Sequence, residues 1–133
     1  MKKLLLLSFT IFSLTNLIAQ PSFTNRNDLI GNYDGYTSIT VDMNGDYLDD
    51  FVRVSETGVG IDYQQADGTF ESVFIAMIIQ WVPDWSAAAA DIDGNGYTDL
   101  LLGNGQRASF LFANDDGTAF TEVFEDLYIF SQR

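Results

Sequence analysis

Two stretches of nine residues concentrate the oxygen chemistry of this chain. In residues 42–50, Asp42, Asn44, Asp46 and Asp50 stand at positions 1, 3, 5 and 9, and in residues 91–99 the same positions hold Asp91, Asp93, Asn95 and Asp99. A loop that curls around a cation turns alternate side chains inward. Positions 1, 3 and 5 then converge, a backbone carbonyl near position 7 adds a ligand, and position 9 closes the shell. Calcium takes six to eight oxygens at about 2.3–2.6 Å and tolerates irregular geometry, which suits such a set completed by water; magnesium demands a tighter octahedron and fits less well. Without a cation, the convergent acids repel one another.

The opening of each stretch resembles an EF-hand loop, which closes on Glu at position 12. Position 12 here is Arg53 in the first stretch and Leu102 in the second. The residues after each loop are strand-like rather than helical, so an EF-hand is excluded. The two loops differ at position 6, where a left-handed backbone is expected. Gly96 fits it, whereas Tyr47 costs roughly 1 kcal/mol or more. The first loop carries Asp49 beside its ligands. Both loops are expected to bind, the second with the better-formed backbone.

The remaining composition removes other chemistries. There is no Cys and no His, which excludes a disulfide framework, a thiolate nucleophile, Cys-type zinc and the usual catalytic base. Six Lys and Arg against 19 Asp and Glu leave a formal charge of −13, which repels phosphate backbones and anionic lipid, so nucleic acid is not an expected partner. Of the acids, 15 are Asp and four are Glu, a ratio that favours turns over helices.

The elements that must position the loops appear as an internal repeat at an offset of 49 residues. Asp42 falls on Asp91, Asn44 on Asp93, Asp46 on Asn95 and Asp50 on Asp99, and the Asp67-Gly68-Thr69 turn falls on Asp116-Gly117-Thr118. One inserted residue, Ala119, shifts the offset to 50, so that Phe70 meets Phe120 and Phe74 meets Phe124. Each repeat predicts four strands: 37–41, 51–54, 61–64 and 70–75 in the first, and 86–90, 100–102, 109–113 and 120–124 in the second. Gly-containing turns are expected at 57–60 and 103–105, and Asp-Gly hairpin turns before the fourth strands. The four alanines 87–90 have helix propensity, but their counterparts Ser38-Ile39-Thr40-Val41 read as strand. The fold class is therefore all-β, with four-stranded antiparallel blades of the β-propeller type.

The stretch Ala90-Asp91-Ile92-Asp93-Gly94-Asn95-Gly96-Tyr97-Thr98-Asp99-Leu100-Leu101-Leu102-Gly103, then Phe110-Leu111-Phe112-Ala113-Asn114 and Asp116-Gly117-Thr118-Ala119-Phe120, resembles the FG-GAP/VCBS repeat family. That family includes calcium-binding propeller blades of integrin α-chains and many exported bacterial proteins. The resemblance covers about residues 32–133. It implies calcium between the first two strands of each blade, held by Asp91, Asp93, Asn95, the Tyr97 carbonyl and Asp99, and likewise by Asp42, Asn44, Asp46, the Leu48 carbonyl and Asp50. Tyr47 departs from the pattern.

At the amino terminus, two lysines, an apolar stretch at 4–18 and Ala19 before Gln20 have the layout of a secretory signal peptide. The apolar stretch is shorter than the roughly 20 residues that cross a bilayer, and so is the later run at 74–82, so no membrane span is expected after cleavage. The expected organisation is a signal peptide at 1–19, a lead-in at 20–31, a first repeat at 32–80, and a second repeat with the start of a third at 81–133. Propellers use four to eight blades, and two blades leave open edges and apolar faces, so the reading is about two blades of an incomplete ring. It implies an amino-terminal part of a longer protein, the alternative being a ring assembled from several short chains.

The function these readings imply is a secreted or cell-surface calcium-binding module that acts in binding, adhesion or scaffolding, with an extracellular protein or carbohydrate as ligand. It is not expected to be an enzyme. The alternative is the non-catalytic amino-terminal part of a secreted propeller enzyme acting on polysaccharide. Asp34, Glu56 and Asp84 are the acids outside the loops that an active site would draw on. Trp81 and Trp85 suit sugar stacking or packing between blades.

Overall fold

A computed structural model of the chain describes residues 22–84, 86–105 and 107–126. The signal peptide read at 1–19, Trp85 and the start of a third repeat lie outside them. Eight strands succeed one another: β1 (Thr37–Val41), β2 (Asp50–Ser55), β3 (Gly58–Gln64), β4 (Phe70–Ala76), β5 (Ser86–Ala90), β6 (Asp99–Gly103), β7 (Arg107–Ala113) and β8 (Phe120–Asp126). They form two antiparallel meanders, β1-β2-β3-β4 and β5-β6-β7-β8. Among the described residues the only helical element is one 3-10 turn, Asn27–Leu29, and no helix is long and apolar enough to cross a membrane.

Local chemistry explains most of the boundaries. Gly68 and Gly117 take φ of 84° and 68° in the predicted Asp-Gly turns, a region in which a Cβ is costly. In each turn an Asx-type bracket fixes the return strand. Asp67 Oδ1 accepts the Thr69 N–H at 3.0 Å and the Thr69 hydroxyl at 2.6 Å, and Asp116 Oδ1 does the same for Thr118, at 3.0 and 2.5 Å. The threonine hydroxyl is the largest influence holding each carboxyl below the ordinary carboxylate range. The alanine run 87–90 is strand because it pairs residue by residue with 99–102, a tertiary partner overriding helix propensity.

The glycines at 58 and 60 depart from expectation. They belong to β3, and the turn before it is Glu56-Thr57, with Ser55 paired to Gly58. Their role is close approach: a Cβ at Gly58 would strike the Ile75 carbonyl, and one at Gly60 would lie 2.5 Å from the Tyr33 ring.

The core lies between the two sheets. Val52, Val54, Val59 and Ile61 of the first sheet and Leu100, Leu102 and Leu111 of the second are each at most 1% exposed and form one cluster with Met43, Ile75 and Ile79. Each such side chain contributes about 1.5–3 kcal/mol by leaving water. The alternation is sharp in β6, where Leu100 and Leu102 are buried and Leu101 between them is only half-buried.

The far face of the first sheet is covered differently. Tyr33, just before β1, lies over Gly60 and meets the Phe74 ring at 5.3 Å. Arg53 sits against Tyr33 and Phe51, its guanidinium 5.2 and 5.4 Å from their ring centres. It donates to the Tyr33 carbonyl at 3.0 Å and pairs with the fully buried Asp62 at 2.5 Å. Asp62 also accepts the Gly31 N–H at 2.8 Å and the Ser72 hydroxyl. The second sheet repeats this device with other residues. Trp81, just before β5, meets Phe124 edge-on at 6.2 Å and carries Arg107 over its ring at 3.9 Å. Glu122 accepts the N–H groups of Gln80 and Trp81 at 2.8 and 3.2 Å and the Ser109 hydroxyl at 2.6 Å. Trp81 thus packs on its own blade.

Candidate metal centre

Both acidic stretches are the loops joining the first two strands of their sheets, β1 to β2 and β5 to β6. Position 1 organises the curl. The Asp42 carboxylate accepts N–H groups of Asn44, Gly45, Asp46 and Tyr47 at 3.2, 2.7, 3.2 and 2.9 Å. These backbone donors, Tyr47 foremost, hold its carboxyl below the ordinary range. Asp91 does the same work on Gly94 and Gly96, at 2.8 and 3.0 Å. Positions 3 and 5 add shorter links. Asn44 receives the Asp46 N–H at 3.0 Å and Asp46 the Leu48 N–H at 2.8 Å; Asp93 receives the Asn95 N–H at 3.0 Å and Asn95 the Tyr97 N–H at 2.8 Å. Leu48 and Tyr97 thereby hold position 7 with their N–H groups tied back into the loop.

Position 9 begins the next strand and is fully buried in both loops. Asp50 accepts the Met43 N–H at 2.8 Å with one oxygen and the Gln64 N–H at 2.9 Å with the other. Asp99 repeats this on Ile92 at 2.7 Å and Ala113 at 2.8 Å. Each therefore braces its loop to the far end of the third strand, a role that ligand spacing does not suggest. Its one local sign is an acid directly ahead of an apolar strand, Asp50-Phe51 or Asp99-Leu100. Burial pushes the Asp50 carboxyl above its ordinary range, and the charges on Asp46 and Asp42 add to that.

The second loop brings its three carboxylates together. Oxygens of Asp91, Asp93 and Asp99 all lie within 4.8 Å of one another, and among the described residues no other group of three or more His, Cys, Asp and Glu does so. Three oxygens within that separation leave a common centre no more than about 2.8 Å from each, so a shift of a few tenths of an ångström brings all three to the roughly 2.3–2.6 Å of a calcium–oxygen bond. Asn95 is the fourth predicted side chain, and its Nδ2 is anchored on the Ala113 carbonyl at 2.8 Å. In the first loop the corresponding position 3 is Asn44, whose Nδ2 donates to Asp46 Oδ2 at 3.1 Å, so an amide stands where the second loop has an acid. The two loops touch, because the Thr98 hydroxyl donates to the Asp42 carbonyl at 3.2 Å.

The backbone bears out the difference expected at position 6. Gly96 has φ 91°, and Tyr47 takes φ 68°, the one positive value outside glycine among the described residues. The Tyr47 side chain is 95% exposed and gains no packing in return. Tyr47→Gly is therefore expected to raise the unfolding free energy by about 1 kcal/mol in EDTA, measured by urea denaturation.

The acids outside the loops sit elsewhere. Glu56 accepts the Tyr36 hydroxyl at 3.1 Å, and this hydrogen bond first, then the Glu56 charge, with smaller effects of desolvation, Asp84 and Asp34, raises that phenol above its ordinary range.

Two meandering sheets, each with an acidic curl between its first two strands, define a blade-type repeat of the propeller class. The family model of the FG-GAP-like repeat matches residues 42–102, from position 1 of the first loop to the buried Leu102 of β6. This stretch is similar to that repeat over 61 of the 133 residues of the chain. No curated protein and no solved structure matches the chain.

Proposed function

We propose that this chain is an exported calcium-binding module of propeller-type blades. The ions rigidify the loops 42–50 and 91–99, and the blades present a surface to an extracellular protein or carbohydrate, or act as a scaffold, with no catalytic site of their own. The observation that carries the reading is the convergence of Asp91, Asp93 and Asp99. In the second site these three act with Asn95 and the Tyr97 carbonyl; in the first, Asp42, Asn44, Asp46, Asp50 and the Leu48 carbonyl play the same parts. The Asp50 carboxyl is pushed up chiefly by burial, and the smaller share that the charges on Asp46 and Asp42 add is one that a cation would relieve. An extracellular setting with millimolar calcium fills sites of modest affinity, and the acidic surface disfavours nucleic acid.

Calorimetric titration of the full chain with calcium tests the reading. Binding is expected, with the tighter event lost in Asp93→Ala, whose side chain is exposed and removable without disturbing the sheet. Absence of heat at millimolar calcium removes the proposal, and loss confined to Asp42→Ala reverses the ranking of the two loops.

A further inference from the structure

Asparagine followed by glycine is prone to close on itself, because glycine has no side chain to shield its nitrogen from the amide of the residue before it. The Gly nitrogen attacks the Asn Cγ, a C–N bond forms, and a five-membered imide results. Ammonia leaves with the proton that the nitrogen gives up, and water then opens the ring. Opening at the side-chain carbonyl yields aspartate; opening at the main-chain carbonyl yields isoaspartate, which puts a methylene into the backbone. The chain has three such pairs, Asn44-Gly45, Asn95-Gly96 and Asn104-Gly105. They share a dipeptide, and the fold holds them differently.

Asn95 is half-buried and anchored outside its loop. Its Nδ2 donates to the Ala113 carbonyl of β7 at 2.8 Å, and its Oδ1 accepts the Tyr97 N–H at 2.8 Å. Asn104, also half-buried, closes the turn from β6 to β7. Its Oδ1 accepts the Arg107 N–H at 2.8 Å, its own N–H donates to the Arg107 carbonyl at 3.1 Å, and its Nδ2 reaches the Val82 carbonyl at 3.5 Å. Asn44 is exposed, and its hydrogen bonds stay within residues 42–46. Its Oδ1 accepts the Asp46 N–H at 3.0 Å, its Nδ2 donates to Asp46 Oδ2 at 3.1 Å, and its N–H donates to Asp42 at 3.2 Å. The attacking nitrogens are alike: the Gly45 N–H donates to Asp42 at 2.7 Å and the Gly96 N–H to Asp91 at 3.0 Å, and both glycines border open space. The difference therefore lies in how each asparagine is held.

We propose that Asn44 is a site of spontaneous deamidation, reached by local opening of the 42–50 loop, and that Asn95 and Asn104 are protected by their anchors. The rate follows the population of the open loop. One tertiary hydrogen bond of ordinary strength shifts such a population several-fold to about tenfold. The consequence depends on the repeat register, because position 3 is Asn44 in the first loop and Asp93 in the second. The aspartate product gives the first loop the acid it lacks there. The isoaspartate product lengthens the backbone inside the bracket that Asp42 makes with the N–H groups of Asp46 and Tyr47, and so breaks the curl.

The test holds the full chain in EDTA at mildly alkaline pH, samples it over days and cleaves it with trypsin. The peptide 27–53 carries Asn44, and the peptide 54–107 carries Asn95 and Asn104. Fragment mass spectrometry is expected to show Asn44 converting about tenfold faster than either of the others, with isoaspartate among its products. In urea strong enough to unfold the chain, the three rates are expected to converge. Equal rates in the folded chain, faster conversion at Asn95 or Asn104, or a ranking that survives unfolding overturns the proposal. A parallel incubation with calcium rests on the function proposed above: conversion of Asn44 is expected to slow, and Asn44→Asp to bind calcium several-fold more tightly in the first loop. Fast conversion that calcium leaves unchanged supports the modification and counts against calcium in that loop.

Discussion

Arg53→Ala is expected to lower the unfolding free energy by about 3–5 kcal/mol in urea denaturation at neutral pH, because it strands a buried carboxylate without its counter-charge. Asp62 has no exposed surface, and the Arg53 side chain keeps only 13% of its own. The remaining partners of Asp62, the Gly31 N–H and the Ser72 hydroxyl, are neutral donors and do not balance its charge. The truncation also removes the packing of the guanidinium against Tyr33 and Phe51. A domain of this size has about 5–15 kcal/mol in all, so the loss is a large share of it. Replacing both partners together, R53L/D62L, is expected to cost less than Arg53→Ala, since no charge is left uncompensated and only the part-buried Gly31 N–H and Ser72 hydroxyl lose their acceptor. A single-variant cost below about 1 kcal/mol would mean that water reaches Asp62 and that the pair is dispensable.

The second large effect separates the structural use of a loop acid from its use as a ligand. Asp99→Ala leaves the Ile92 and Ala113 N–H groups without an acceptor at a fully buried position. Each orphaned donor costs about 1–3 kcal/mol, so a loss of about 2–6 kcal/mol is expected even in EDTA. Asp93→Ala removes one exposed turn hydrogen bond and is expected to change stability in EDTA by about 0.5 kcal/mol or less, yet to remove the larger part of the calcium-dependent rise in melting temperature, leaving the share of the first loop. Paired thermal melts with and without calcium check both variants. Equal losses for the two in EDTA would show that position 9 is not the brace its hydrogen bonds describe.

The residues behind these two effects differ in how visible they are along the chain. The spacing of Asp91, Asp93, Asn95 and Asp99 is legible directly, because a tight curl is a local structure whose inward positions follow from chain geometry. The inequality of the loops is equally legible at position 6, in Tyr47 against Gly96. By contrast, nothing in the sequence marks Arg53 and Asp62 as partners. They stand nine residues apart on neighbouring strands, on opposite sides of a turn that fell two residues away from its expected place. Gly58 and Gly60 read as turn formers because glycine serves both turns and close contacts, and only the positions of Ile75 and Tyr33 separate the two uses.

The repeat, the two four-stranded meanders, the hairpin turns and the ligand spacing of the loops are all written in the order of the residues. They rest on short-range rules: alternation along a strand, positive φ at Asp-Gly, and the reach of an Asp side chain to nearby N–H groups. Packing in three dimensions was needed to settle which acids are buried, that Asp50 and Asp99 clamp the ends of β3 and β7, and which sheet face is covered and which is left open. The reason is that burial belongs to a pair of surfaces, and a residue's neighbours along the chain do not say which distant strand will lie across from it.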